Sequence, residues 1–202
     1  MADTWRVCGA WDEIATVGRF GAEGADPLRV EAFDAAHVVA IEAPAVAATA
    51  LAQWLETNFA TSLPAVGRAA RGAGCAVLWA GAGKWLLRQD NGVAAHARWP
   101  DPPAGATLVD QSDGRAVLRI GGARVRAALA KGVMLDLDPG VFGPDATAVT
   151  AIAHIRAQIW RVDAGEGPPA FEIIVPRTFA ESFWSWLGAA GAEFGLDIRR
   201  RP

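Results

Sequence analysis

The chain has 202 residues, a length that fits one domain or two small halves packed together. Hydrophobic residues make up 52% of it, which is enough for a sizeable core and excludes global disorder. The formal net charge of −3, with no basic stripe, argues against nucleic-acid binding. The basic cluster Arg199–Arg201 is predicted to be a solvated tail.

Three features bear on where the protein works. Cys8 and Cys75 are the only cysteines and form no metal-binding motif, so reduced thiols are expected. The first ten residues lack the apolar run of a secretory signal. The most apolar window, 38–55, is interrupted by Glu42 and Pro44 and is not predicted to span a membrane. We therefore expect a cytoplasmic protein that binds neither membrane nor nucleic acid.

The first half of the chain indicates strands followed by a helix. Residues 1–30 have no sustained periodicity and predict an irregular arm with room for one short strand. Strand-like patterns follow at 29–33 and 38–41. Apolar residues then recur every three to four positions from Val46 to Phe59, which predicts an amphipathic helix beginning after Pro44.

A hairpin and a linker complete the first half. Residues 75–79 and 84–88 are strand-like, and Gly81 and Gly83 between them permit a tight turn. Pro100, Pro102 and Pro103 make 90–105 the best linker candidate.

The second half repeats this order in outline. A strand at 116–120 leads to a short helix with Val125, Ala128 and Leu129 inward, and Gly132 suits its C-terminal stop. Strands at 155–162 and 171–175 form a second hairpin. Thr178 and Glu181 have the spacing of a capping box. The helix that follows is predicted to bury one face, made of Phe179, Phe183, Trp186, Leu187 and Ala190.

These elements predict an α+β fold of two ferredoxin-like strand–helix–hairpin halves, with antiparallel sheet and the helices on one face. The predicted divisions are an arm at 1–30, a first half at 31–100 and a second half at 101–202, all forming one compact unit.

The three histidines give little sign of chemistry. His37 and His96 are expected at the surface, and His154 lies at the start of the second hairpin. Because none has a second histidine or a cysteine at metal-ligand spacing, no metal site is predicted. His154 is the strongest functional candidate, although a structural role is favoured for it.

Other polar and glycine motifs also fall short of a site. Asp136 and Asp138 flank Leu137 ahead of a turn and are interpreted as solvated charges. Asp110 and Ser112 could be a remnant site, but no histidine is positioned to activate the serine. Gly81-x-Gly83 is interpreted as a hairpin turn, and the glycines at 18, 21 and 24 lack a Rossmann context. We predict no catalytic, cofactor-binding or metal-binding residue.

Arginines and aromatic residues are the conspicuous features instead. Nine Trp and no Tyr occur, a composition compatible with a partner surface. Five arginines could pair with acidic residues of a partner: Arg115, Arg119, Arg124, Arg126 and Arg177.

Several motifs in the second half carry a family resemblance. They are Asp110-Gln111-Ser112-Asp113-Gly114-Arg115, Val117-Leu118-Arg119-Ile120-Gly121-Gly122-Ala123-Arg124, Leu129-Ala130-Lys131-Gly132 with Leu135-Asp136-Leu137, and Val175-Pro176-Arg177-Thr178-Phe179-Ala180-Glu181-Ser182-Phe183-Trp184. This pattern, over about residues 107–195, resembles the gamma subunit of heterotetrameric sarcosine oxidase. It is also similar to the folate-binding aminomethyltransferase fold, in which the position after Ser112 is often His and is Asp113 here.

The resemblance implies a non-catalytic subunit of a complex that oxidatively demethylates sarcosine or a related N-methyl amine. FAD, FMN, NAD, tetrahydrofolate and zinc would belong to partner subunits. The chain would dock directly on a large alpha-type subunit and share the complex with beta and delta subunits.

Two alternatives stay open at this point. A freestanding folate-binding, aminomethyltransferase-like protein would need a pocket between the halves with a carboxylate inside it, Asp110 being the first candidate. A homo-oligomeric structural protein would use the Trp-rich surface on itself.

Overall fold

The computed structural model describes residues 8–23, 26–34, 36–89, 99–163 and 167–201. In these ranges the helices are α1 (Ala48–Phe59), α2 (Val125–Leu129) and α3 (Ala180–Gly191). The strands are β1 (Gly18–Phe20), β2 (Leu28–Phe33), β3 (His37–Glu42), β4 (Ala69–Gly72), β5 (Cys75–Gly81), β6 (Lys84–Gln89), β7 (Thr107–Asp110), β8 (Arg115–Gly121), β9 (Thr147–Ile152), β10 (Ile155–Arg161), β11 (Ala170–Pro176) and β12 (Leu196–Arg201).

The described strands form two sheets. One has seven strands in the order β1-β12-β2-β8-β11-β10-β9, and the other has five in the order β4-β5-β6-β3-β7. Neighbouring strands are antiparallel except β2 and β12, which are parallel. The predicted α+β class is confirmed.

The two sheets pack face to face between two helical layers. Helix α1 covers the outer face of the five-stranded sheet, and α2, α3 and the segment around Trp11 cover the outer face of the seven-stranded sheet. Side chains of both sheets, including Leu78 and Val117, form a third cluster between them. Each sheet therefore has its helices on one face, as predicted.

Alternation of buried and exposed positions explains why these segments are strands. In β3, Val39 and Ile41 face α1, whereas Val38 faces the other sheet. In β8, Leu118 and Ile120 face the α3 layer, whereas Val117 faces the five-stranded sheet. Fully burying a side chain of this size contributes about 1.5–3 kcal/mol, so both faces of the inner strands stabilise the fold.

Helix α3 has the amphipathic face that its spacing predicts, with one exception. Phe183, Leu187 and Ala190 are buried, and Trp186 is half-buried with its ring 5.4 Å from that of Phe183. Phe179 is 48% exposed, so its predicted burial is wrong. It precedes the helix in a 3₁₀ turn, Arg177–Phe179, whose geometry turns it away from the buried stripe.

The capping box predicted at Thr178 is also wrong. Thr178 lies within the 3₁₀ turn, and α3 begins at Ala180 without a side-chain cap. The backbone N–H of Ala180 instead donates to the carbonyl of Arg177. Because the 3₁₀ turn supplies this acceptor, the hydroxyl of Thr178 is not needed at the helix start.

The C-terminal arginines form a strand and not a solvated tail. Strand β12 pairs with β1 on one side and with β2 on the other. The guanidinium of Arg200 donates to Asp34, 2.7 Å from Nε, and to Asp12. Arg201 lies 3.6 Å from Glu31. The charge run thus has intramolecular carboxylate partners that the local sequence could not reveal.

The halves exchange strands across the predicted boundary. Strand β2 pairs with β8 of the second half, and β7 of the second half pairs with β3 of the first. The strand allowed for in the arm is β1. The division of the chain at residue 100 itself stays a prediction, and most of the linker, residues 90–98, lies outside the described residues.

A buried ion pair links the two sheets. Arg88 on β6 and Glu172 on β11 are only 2% and 1% exposed, and the Nε of Arg88 donates to Glu172 Oε1 at 3.0 Å. Arg119 on β8 donates to the other carboxylate oxygen at 3.1 Å. The guanidinium of Arg88 also stacks 4.7 Å from the ring centroid of Phe33. One carboxylate thus holds arginines from both sheets.

The connection between β9 and β10 is a two-residue hairpin turn. Ile152 pairs with Ile155, and the intervening Ala153 and His154 have φ angles of 49° and 66°. Positive φ at both central positions is the pattern of a type I′ turn, which favours Asn and Gly because an L side chain is strained there.

Replacing Glu172 by Gln should destabilise the protein by about 3–5 kcal/mol, because the buried charge of Arg88 loses its counter-ion. Urea unfolding measures the change. The matched control is Glu42→Gln, which breaks the Lys84–Glu42 pair at 56–57% exposure and should cost less than about 1 kcal/mol. Equal losses in the two variants would contradict a structural role for the buried pair.

Replacing His154 by Gly should stabilise the protein by about 0.5–1 kcal/mol, because glycine adopts positive φ without strain. The same change at His37, in the extended strand β3, should destabilise by a similar amount. Urea unfolding of both variants gives the comparison, and a loss of stability in His154→Gly would show that the imidazole does more than occupy a turn.

Candidate functional site

Asp110 and Ser112 form a local turn and not a catalytic pair. The carboxylate of Asp110 accepts hydrogen bonds from the backbone N–H of Ser112 at 2.9 Å and from its hydroxyl at 2.6 Å. The same hydroxyl accepts from the backbone N–H of Val38 at 3.2 Å. These bonds join the end of β7 to the start of β3. Both side chains therefore support the connection between two strands.

The environment of Asp110 keeps its carboxylate ionised. Partial burial raises its pKa, but hydrogen bonds from Ser112 and from Trp99, together with the nearby charge of His37, outweigh burial and hold the pKa below the ordinary value of Asp. A general base requires a pKa near the working pH. The lowered pKa of Asp110 therefore makes its carboxylate a poor general base.

The two described histidines, His37 and His154, lie on different sheets. His154 is exposed at the hairpin turn, and His37 is half-buried at the start of β3. His96 lies outside the described residues. Within the described ranges, no group of three or more His, Cys, Asp or Glu could hold a metal ion.

The paired acids Asp136 and Asp138 are exposed, as predicted. Each accepts a bond from a backbone N–H two residues further on, at 2.8 Å, so Asp136 bonds to Asp138 and Asp138 to Gly140. These are turn contacts of the kind Asp commonly makes, and solvent reaches both carboxyl groups.

The five arginines predicted to face a partner mostly have partners within the chain. Arg119 binds Glu172, and Arg177 donates to the carbonyl of Cys8 at 2.7 Å. Arg126 donates to the carbonyl of Leu137 at 2.8 Å, and Arg124 stacks on Phe194. Arg115 differs, because among the described residues its guanidinium donates to the neutral amide oxygen of Gln111, at 2.6 and 3.0 Å, and to no carboxylate.

The glycine motifs have backbone roles. Gly83 has φ of 66° in the turn between β5 and β6, and a Cβ there would lie 2.8 Å from the carbonyl oxygen of Ala43. Gly21 has φ of 80°, and its Cβ would lie 2.4 Å from the carbonyl oxygen of Ala192. Gly81-x-Gly83 is thus a hairpin turn, as predicted.

A polar cleft lies between the two sheets at one end. It has a volume of about 180 Å³. Its lining comes from β3, β5, β6, β9 and β10, from the first residue of β8 and from the connection between β7 and β8: Ala40, Ile41, Glu42, Ala80, Lys84, Trp85, Leu86, Gln111, Arg115, Val149, Arg156, Ala157 and Gln158. Asp110 is not among the lining residues. The sequence analysis missed Arg156 and Gln158, because an Arg and a Gln in an ordinary strand pattern carry no motif.

A larger, apolar groove lies between α3 and the β1 edge of the seven-stranded sheet. Its volume is about 320 Å³, and its lining comprises Thr16, Phe20, Gly21, Val30, Trp184, Ser185, Leu187, Gly188, Ala189, Leu196 and Ile198. Beside it, Val17 and Phe20 are 58% and 43% exposed. The amphipathic pattern of α3 predicted its buried face but not this groove.

No helix in the described part of the chain is both long and apolar enough to cross a membrane. No curated protein matches the chain.

Two solved structures resemble the chain along most of its length. One is heterotetrameric sarcosine oxidase from Corynebacterium sp. U-96 in complex with pyrrole 2-carboxylate, with 26% identity and a TM-score of 0.70 over 87% of this chain and 88% of that chain. The other is the glycine cleavage system aminomethyltransferase T from Bartonella henselae, with 15% identity and a TM-score of 0.55 over 86% of this chain and 47% of that chain. This second likeness shows a shared fold, and the chain spans about half of that enzyme.

A family model covers most of the sequence as well. The model of the sarcosine oxidase, gamma subunit family matches residues 39–193, which include α1, the five-stranded sheet except the first two residues of β3, and α3. The chain belongs to the sarcosine oxidase gamma subunit family.

Proposed function

We propose that this chain is a non-catalytic gamma subunit of a heterotetrameric sarcosine oxidase, and that it stabilises the complex by docking on the large subunit. The observation that carries the proposal is the family match over residues 39–193, joined to a structural likeness that covers 88% of one chain of a heterotetrameric sarcosine oxidase. A likeness along nearly the whole of both chains favours the same role in the assembly over a shared domain alone.

The polar residues of the described part support a non-catalytic role. Ser112 and Asp110 bond to each other in a turn, and Asp136 and Asp138 bond to backbone N–H groups. A nucleophile needs a base within hydrogen-bond reach and a site that excludes water, whereas Ser112 is half-buried in a turn and the three aspartates are exposed.

The chemistry then belongs to the other subunits. We propose that FAD, FMN, NAD, tetrahydrofolate and zinc are bound by the alpha, beta and delta partners, and that the complex oxidises sarcosine or a related N-methyl amine in the cytoplasm. The freestanding folate-binding alternative has less support, because its first candidate carboxylate, Asp110, lies outside the cleft between the sheets.

The apolar groove beside α3 is the surface we propose for the large subunit. Exposed Val17 and Phe20 flank it, and β1, with one neighbour among the described strands, stands at the edge of its sheet. An apolar groove next to an open strand edge offers both hydrophobic area and backbone hydrogen-bonding groups to a partner.

Tagged wild-type chain, recovered from an extract of its native source, should bring down larger subunits with the absorption spectrum of bound flavin. Subunit masses and the visible spectrum of the purified material measure this. Recovery of the tagged chain alone, without colour, would sink the subunit proposal.

Filling the groove should block assembly without unfolding the chain. A Cβ at Gly188 meets no atom within 4 Å, so Gly188→Phe should place a ring in the groove and reduce recovery of flavin-bearing subunits at least about ten-fold. Gly114→Phe is the matched control, since a Cβ at Gly114 also meets nothing within 4 Å, and it should assemble normally. Normal assembly of Gly188→Phe would overturn the groove as the docking surface while leaving the subunit role intact.

A further inference from the structure

The cleft between the sheets gathers positive charge without matching negative charge. Lys84, Arg115 and Arg156 line it, whereas Glu42 is the one carboxylate among its lining residues. Glu42 is already bonded to Lys84 at 2.9 Å. The two arginines therefore leave a surplus positive charge facing a polar cavity.

Neither arginine has an acidic partner in the described ranges. No carboxylate of those residues lies within 4 Å of Arg115 or Arg156. Arg115 is half-buried and bonds to the neutral oxygen of Gln111. Burial, together with the neighbouring charge of Arg156, lowers the pKa of Arg115.

This arrangement differs from that of the buried Arg88 and Arg161 and of the half-buried Arg200, each of which contacts at least one carboxylate. Withdrawing a guanidinium from water without a counter-ion costs free energy, and placing a second guanidinium nearby adds repulsion. An anion in the cleft would remove both costs at once.

The shape of the cleft limits what that anion can be. Its volume of about 180 Å³ lies below the range of drug-sized ligand pockets. Gln158, only 5% exposed, spans the gap between the sheets, where its amide nitrogen donates to the carbonyl of Trp79 at 3.0 Å. The space therefore suits a small ion and not a nucleotide or a peptide.

We propose that the cleft between the two sheets is a binding site for a small oxyanion, held by the guanidinium groups of Arg115 and Arg156. The planar donors of arginine match carboxylate and phosphate oxygens, and charge-assisted hydrogen bonds of this kind are among the stronger ones in proteins. Because the anion bridges residues of β10 and of the segment that begins β8, its binding stabilises this end of the sheet interface. The proposal does not depend on the role of the chain in a larger complex.

The test measures the thermal unfolding midpoint of the full chain against the concentration of malonate and, separately, of inorganic phosphate, at an ionic strength held constant with sodium chloride. A ligand that binds only the folded state raises the midpoint in a saturable way. A saturable rise with either anion supports the site, and the relative affinities tell a carboxylate site from a phosphate site. A midpoint that does not respond to either anion beyond the chloride control would overturn the proposal.

Two variants tie the response to the cleft. Arg156→Gln removes one guanidinium from an exposed position and should weaken the apparent affinity at least about ten-fold. Arg19→Gln removes an equal charge from the exposed edge strand β1 and should respond as wild type does. An unchanged affinity in Arg156→Gln, or an equal loss in Arg19→Gln, would show that the anion acts through general electrostatics and would overturn the assignment.

Discussion

The fold depends on a carboxylate shared between two sheets. Glu172 on β11 is 1% exposed and binds Arg88 of the opposite sheet and Arg119 of the neighbouring strand. Phe33 adds an aromatic face over which three guanidinium groups stack, those of Arg88, Arg119 and Arg201. Polar pairs at this depth cost desolvation, so their value lies in fixing how the sheets meet more than in net stability.

The region between the sheets has two parts, one closed around the ion pair and one open as a polar cleft. At the ion pair it is closed, and the carboxylate of Glu172 binds the guanidinium groups of Arg88 and Arg119 beside the ring of Phe33. Around Arg115 and Arg156 the region between the sheets opens into a polar cleft with surplus positive charge. The outer faces differ from both, because α1 and α3 cover them with apolar side chains such as Leu55 and Phe183. The outer layers supply most of the hydrophobic free energy, whereas the ion pair of Glu172 is buried on the inner surface.

The candidate sites show how far sequence reasoning reached. Asp110, Ser112, Asp136 and Asp138 were interpreted as weak evidence for catalysis, and in the structure they make local turn contacts of the kind that Asp and Ser commonly make. His154 was the strongest functional candidate because it lies at the start of the second predicted hairpin. The structure places it in a strained hairpin turn. The cleft residues Arg156 and Gln158 escaped notice, because their meaning arises only when β10 is brought opposite β3 and β6. The groove beside α3 was not predicted for the same reason. It forms only where β1, from the N-terminal part of the chain, meets α3 and β12, from the C-terminal part.

By itself the sequence determined the α+β class, the helices α1 and α3 and both predicted hairpins, because hydrophobic period and turn residues act within a few positions. The motifs of the second half also determined the family, in agreement with the match over residues 39–193. Only the tertiary structure decided that β2 pairs with β8, that the terminal arginines form β12, and that Glu172 holds two sheets together. These are long-range pairings between segments whose local patterns are compatible with several partners, and the choice among them is made by packing and by the pairing of buried charge.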